Sequence, residues 1–353
     1  MTSLAIRAPE AWLGPGRFTR DALVVCEGGK VSWAGRERDA AAAGIGAERI
    51  LEVDGFMMPA AADRHVHIEL ADPAAVLLRG VTAVRDLAWP ADRIFPLADA
   101  SELPSYTGPL VRAAGPMLTG PGGYPTQDRW APPGTGRELK GTDDARAAVE
   151  ELAGLGATAI KVSLNEEAGP TPTDAELAAV CEAAREHALP VTAHAQGKGQ
   201  VERALGAGID ELAHTPWTER LSDDVLQTCA ARMRIVSTLD ILSFGRDTPE
   251  IRTALDNLRR FHAAGGRVMY GTDLGYGPIP PGIDTREAQL LAEAGLEFEE
   301  VLEAMTRAPL EPGAPADLVA TASSPLDDLG AFDNVALVVR AGRVVLAHGS
   351  DEG

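Results

Sequence analysis

The sequence predicts an α/β fold, a (β/α)8 barrel of the TIM type with a small β-sandwich built from both ends of the chain. Three observations carry the prediction. Short apolar segments alternate with amphipathic ones through the middle of the chain, both ends read as hairpins, and four of the seven histidines close three of the apolar segments.

Residues 1–56 form the first half of the predicted sandwich. They contain "ALVVCEGGKVSWAG", two short strands joined through Glu27-Gly28-Gly29, a hairpin signal. The predicted barrel, 57–307, opens with the strand "MMPAAADRHVH" (57–67), followed by "VTAVRDLA" (81–88), "PLVRAAGPML" (109–118) and "ATAIKVSL" (157–164). It continues with "LPVTAHAQ" (189–196), "IDELAHTP" (209–216), "RIVSTLDIL" (234–242) and "RVMYGTDLG" (267–275). Between them lie helical patterns such as "DDARAAVEELAGLG" and "TDAELAAVCEAAREHAL", with apolar residues at i, i+3, i+4 and i+7 and Thr142 or Thr173 as the expected cap. Eight strand–helix units over about 250 residues fit a barrel. An open doubly wound sheet would use about six, with a glycine-rich phosphate loop that this chain lacks. Residues 308–353 begin with the linker "APLEPGAPAD" and continue as strands, "ADLVATASS" and "NVALVVRAGRVVLAHG", the second half of the sandwich.

The bulk numbers narrow the function. With 353 residues and 45% hydrophobic content, the chain buries a sizeable core. Its 32 basic residues face 52 acidic ones, for a net charge of −20, which argues against nucleic acid and anionic membrane as partners. Three scattered cysteines, Cys26, Cys181 and Cys229, give neither a disulfide framework nor a thiolate zinc site. The N-terminus lacks a basic region followed by an apolar one, so a cytoplasmic protein is expected. Its expected partner is a small-molecule substrate, with a homo-oligomer left open.

His65 and His67 stand at i and i+2, so on a strand both imidazoles face one side, as two ligands of one ion must. Alone, that pattern equally describes two surface residues. The rest of the chain supplies companions: His194 ends the fifth predicted strand and His214 the sixth, while Asp273 ends the eighth. Strand C-termini build the active site of such barrels. Lys161 lies in the fourth strand, and alternation turns it towards the interior with Ala159 and Ser163. Desolvation there lowers a lysine's pKa and leaves a neutral amine able to add CO2 as a carbamate. The alternative is a salt bridge with a neighbouring acid. Four imidazoles, a carboxylate and a possible carbamate suit two divalent ions, Zn²⁺ in the first instance. His187, His262 and His348 read as solvated or capping residues.

Together these residues resemble the amidohydrolase superfamily in its subtype with two metals and a carboxylated lysine, and most nearly its imidazolonepropionase-like and metal-dependent prolidase-like branch. "PAAADRHVH" is similar to the usual Pro-Gly-x-x-Asp-x-His-x-His, and "GVTAVRDLA", "IKVSL", "VTAHAQG", "GIDELAHTP" and "GTDLG" match the further strands. The resemblance spans nearly the whole chain. It implies that His65 and His67 hold the more buried metal, that His194 and His214 hold the more exposed one, and that the Lys161 carbamate bridges them. It further implies that Asp273 binds the first metal and acts as general base towards a bridging hydroxide. Asp63 would orient the histidine pair. The implied reaction is hydrolysis of an amide-type C–N bond in a peptide-like, N-acyl or cyclic amide substrate. Esters, lactones and phosphotriesters answer to the same nucleophile. Aromatic deamination is disfavoured because Gly197 stands where deaminases carry glutamate. A non-catalytic relative would lack ligands that are all present here.

The chain departs from the pattern at Ala60, usually glycine, and at Gly122-Gly123-Tyr124, where many relatives have Gly-Gly-His. Tyr124 either donates to an oxyanion or closes the loop. Asn165, Trp217, Asp240, Phe244 and Tyr276 follow strands and are expected to line the pocket. The longest loop, 120–141, offers Arg129 and Trp130, either as substrate contacts or as surface residues.

Overall fold

The computed structural model describes residues 3–347; His348 lies outside them. Both ends of the chain meet in one sheet of eight strands. Its path runs Arg343–Ala347, Val335–Arg340, Leu318–Thr321, Phe56–Pro59, Leu4–Trp12, Phe18–Glu27 and Lys30–Arg36, with Arg49–Glu52 also paired to Leu4–Trp12. Where the sequence predicts a sandwich, the hydrogen bonding describes a single continuous sheet.

The predicted strand 57–67 is two strands in two sheets. Phe56–Pro59 pairs with Leu318–Thr321 and Leu4–Trp12. Ala61–Val66 begins a parallel sheet with Val81–Asp86 and Leu110–Ala113. The handover falls at Ala60, whose N–H donates to Asp317 O, while the Ala61 N–H donates to Gly80 O. Alternation then puts Met57 into the core of the terminal sheet and Phe56 and Met58 into the main core, so one short strand joins the two.

The predicted strand 109–118 also divides, into Leu110–Ala113 and Met117–Thr119. Gly115 takes φ +75° between them, and a Cβ there would come within 2.9 Å of Phe95 and 3.0 Å of Leu152. A second parallel sheet runs Gly136–Glu138, Met117–Thr119, Ile160–Asn165, Val191–Gln196, Glu211–Leu212, Arg234–Val236 and Arg267–Met269. The 120–141 loop is therefore ordered, folding back so that its own short strand Gly136–Glu138 lies beside Met117–Thr119.

Hydrogen bonds link the two parallel sheets on both sides. Thr158 N–H donates to Ala113 O on one side; on the other, Arg64 donates to Tyr270 O, Asp273 to His65 O and His67 to Leu274 O. Helices intervene between strands. Thr173 caps Asp174–Glu186 in a capping box with Glu176 as predicted. Thr142 does not cap its helix: it is the first residue of Thr142–Gly154, and Gly141, at φ +97°, holds the cap position with its N–H on Glu176. A threonine side chain would be strained in that backbone conformation. Among the described residues no helix is long and apolar enough to cross a membrane.

Candidate metal centre

His65, His67 and Asp273 converge at the C-terminal end of Ala61–Val66, all buried, with ligand atoms within 4.8 Å of one another. Asp273 Oδ1 lies 3.2 Å from His65 Nε2 and 3.3 Å from His67 Nε2. The other ring nitrogens fix the tautomers. His65 Nδ1 is 2.8 Å from Ala213 O and His67 Nδ1 3.1 Å from Ala88 O. A carbonyl can only accept, so both Nδ1 atoms carry the proton and both Nε2 atoms present lone pairs. Three electron-rich atoms thus face one another, and Asp273 Oδ1 has no hydrogen-bond donor. The arrangement draws positive charge. Burial opposes protonation of His67, yet Asp273 more than offsets it and the imidazole's pKa is raised. His65 is held well below its usual value by burial and by Lys161.

Backbone geometry builds this group. Asp273 sits at φ +56°, a strained conformation for a non-glycine residue. Gly271 permits its approach, since a Cβ there would come within 2.3 Å of Val236 and 3.1 Å of the His65 nitrogen. Asp63 ties the first strand to the last: its carboxylate accepts from the N–H of His65 and from the N–H and hydroxyl of Thr272. Burial pushes that carboxyl up to about 7. Asp86 accepts from the N–H groups of Ile68 and Ala88, fixing the carbonyl that orients His67.

His194 and His214 form a second group. His194 Nδ1 lies 3.0 Å from His214 Nε2. His194 Nε2 lies 3.0 Å from Gln196 Oε1, whose amide nitrogen is committed to Glu167, so His194 carries its proton on Nε2 and presents a lone pair at Nδ1. His214 Nδ1 meets the Thr238 hydroxyl at 2.8 Å. That hydroxyl both donates and accepts, so it serves either tautomer of His214. Burial holds His194 down to about 4 and His214 well below its usual value. Both are neutral, the form that binds metal.

Lys161 is fully buried, on a strand registered so that Lys161 faces Thr192 and Ser163 faces His194. Its Nζ has no hydrogen-bond partner, so the salt-bridge alternative is not realised. Burial lowers its pKa to about 7, against the raising influence of Asp273.

Three aromatic rings stand against the histidines. Trp130 lies 4.5 Å from the His67 ring, Tyr124 5.1 Å from His194, and Trp217 5.5 Å from His214. Burial and Asp273 raise the Tyr124 pKa, which keeps the phenol protonated. Arg129 is exposed. Asn165 donates to Gln196 Oε1 and accepts from the Ala168 N–H. Asp240 closes its own turn through Ser243 and Gly245, and Tyr276 is 51% exposed. Thr238, Gln196 and Asp86 were not singled out by the sequence. Only Asp86, a carboxylate within an otherwise buried strand, left a readable signal.

Several solved structures share this fold. An ochratoxinase from A. niger superposes with TM-score 0.84 at 20% identity, covering 99% of this chain and 97% of its own. A Xaa-Pro dipeptidase with bound methionine gives 0.81 at 20% identity over 97% and 99%. A molinate hydrolase gives 0.80 at 16% identity over 97% and 94%. No curated protein sequence matches significantly. The sequence profile of the amidohydrolase family matches residues 56–345, most of the chain, and the protein belongs to that family.

Proposed function

We propose that the protein is a metal-dependent hydrolase of an amide-type C–N bond, using two ions, of which zinc suits the donors best. One observation carries the reading: His65 Nε2, His67 Nε2 and an Asp273 carboxylate oxygen converge within 4.8 Å of one another, where one cation would satisfy all three and a proton on His67 only its contact with Asp273. The residues fit the group. His65, His67 and Asp273 would hold the first ion, His194 and His214 the second, and Lys161, as a carbamate, would lie between. Its partnerless, buried, weakly basic amine supports that role. Relatives in fold include proteins named as a Xaa-Pro dipeptidase and as hydrolases of ochratoxin, phenylurea and molinate, which supports a small amide-like substrate.

Bound ions would supply Lewis acidity to a water and to the scissile carbonyl. The chain's own residues do the rest. Asp273, with a free carboxylate oxygen, takes the proton of the attacking water and passes it to the leaving amine. Tyr124, kept protonated, faces the same space as a hydrogen-bond donor. Trp130 and Trp217 hold the apolar part of the substrate and exclude water.

The two linked parallel sheets are read as one eight-stranded barrel, with Leu110–Ala113 and Met117–Thr119 sharing the third position. The domain division is that proposed from sequence, 1–56, 57–307 and 308–353, with the first boundary moved to Ala60. Elemental analysis of the purified protein, with turnover of dipeptides, N-acyl amino acids and cyclic amides, tests the proposal. About two ions per chain and release of an amine support it. Absence of bound metal after reconstitution, or products of ester cleavage alone, refutes it.

A further inference from the structure

Arginines of the parallel strands Ala61–Val66, Val81–Asp86 and Leu110–Ala113 gather with arginines of the C-terminal part of the chain. Two cavities of about 310 and 410 Å³ open there, and they share Arg112 and Arg307. Arg64, Arg85, Arg112, Arg307, Arg340 and Arg343 line them, against three carboxylates, Asp63, Glu102 and Asp317. This is a local cationic excess in a chain of net charge −20.

The carboxylates are fewer than the arginines, and each has hydrogen-bond or ion-pair partners of its own. Asp63 serves His65 and Thr272, Glu102 pairs with Arg112, and Asp317 accepts the Ala341 N–H at 2.7 Å. Arg85 is matched by the buried Glu211, which lies outside both cavities. The remaining guanidinium groups share the counter-charge that is left, Asp317 beside Arg307 and Arg340, and Asp63 and Glu211 near Arg64, so the arginines outnumber the carboxylates. Arg64 donates only to the carbonyls of Ala62 and Thr306, at 3.0 and 2.9 Å. Arg340 is 5% exposed; one of its terminal nitrogens donates to Ser101 O and the other, Nη1, is buried with no acceptor. Arg307 makes no hydrogen bond or ion pair among the described residues.

We propose that this cavity pair binds a phosphate group, of inorganic phosphate or of a small phosphomonoester, through Arg112, Arg307 and Arg340. Several guanidinium forks suit a tetrahedral dianion, which accepts from more than one of them at once. A buried donor without an acceptor, such as Arg340 Nη1, is costly until an anion meets it. None of His65, His67, Lys161, His194, His214 and Asp273 lines either cavity, so the site is not a further part of the metal centre.

The test is thermal unfolding of the metal-loaded protein, titrated with inorganic phosphate, with glycerol phosphate, and with sodium chloride at matched ionic strength. A ligand that binds only the folded state raises the melting temperature saturably. The same titrations on Arg307→Ala separate this site from any phosphate bound at the metals, because that contribution is common to both proteins. Arg307 is exposed, so the variant is expected to fold, with metal content and turnover unchanged. The expected result is a saturable shift whose half-saturating phosphate rises about tenfold in the variant. Whichever titrant saturates lower identifies the source of the group. No shift, the same shift in both proteins, or a shift that chloride reproduces would overturn the proposal.

Discussion

His65 and His67 each donate a ring proton to a main-chain carbonyl, of Ala213 and Ala88, whereas His194 and His214 lean on side chains, Gln196 and Thr238. The difference extends to what each pair needs. The first pair and Asp273 leave lone pairs facing one another, relieved only by a cation or by protonation of His67. The second pair satisfies itself: His214 can donate Nε2–H to His194 Nδ1 at 3.0 Å while Thr238 donates to His214. The first position is thus built to hold an ion, and the second can exist without one. The first ion is therefore expected to bind tighter and to leave last on dialysis against chelator. Simultaneous loss of both would erase the contrast.

The largest effect is expected from removing Lys161, the residue proposed to lie between the two ions. Lys161→Ala should lose metal from both and lower turnover about a thousandfold, since metal chemistry contributes several kcal/mol to the barrier. Small carboxylic acids should restore part of it. The amine adds CO2 only when neutral, and its pKa is lowered to about 7, so reconstitution with metal and bicarbonate should proceed above that pH and fail as the pH falls through it. Metal uptake measured from pH 6 to 9 checks this; a flat profile, or full turnover in the variant, contradicts the bridging role.

Asp273→Asn should come next, with kcat lowered about 10²-fold, the lower end of a general base's usual contribution. The first ion should be retained, because His65 and His67 keep their carbonyl anchors. Loss of kcat and first-site metal together would make Asp273 a ligand only.

Smaller still is Thr238→Val, which keeps shape and removes the hydroxyl. Such outer partners are worth about 10- to 100-fold in metal affinity. Here the loss should fall on the second ion alone, read as ion stoichiometry in a zinc titration. An equal loss at both positions would show that the two halves are not separately fastened.

The candidate ligands were legible from sequence because histidines and an aspartate near strand ends, with a lysine inside a strand, form a pattern in the chain itself, and the structure brings His65, His67 and Asp273 together. Their fastening was not. The acceptors for His65 and His67 are carbonyls of Ala213 and Ala88, residues whose side chains say nothing about where their oxygens point. The strand 57–67 read as one apolar run, and only tertiary pairing shows that it changes sheets at Ala60. Thr142 failed as a cap because Gly141 bonds to Glu176, a residue of another helix. The arginines of the two cavities are spread from Arg64 to Arg343, so no window of sequence brings them together.

The smallest predicted effect concerns which half faces the substrate. Trp130 lies against His67 and Trp217 against His214, so each aromatic wall belongs to one half of the centre. An aromatic contact is worth about 0.5–1.5 kcal/mol beyond its area, so Trp130→Leu or Trp217→Leu should raise KM roughly two- to tenfold with little change in kcat. The leaving amine must end near Asp273, which sits with His65 and His67. An apolar group on the amine side should therefore be felt by Trp130, and one on the acyl side by Trp217. A substrate series varied on one side at a time, measured against both variants, reads this directly. If each variant responds to the opposite side, the substrate lies the other way round, and Asp273 cannot be the residue that passes the proton to the leaving amine.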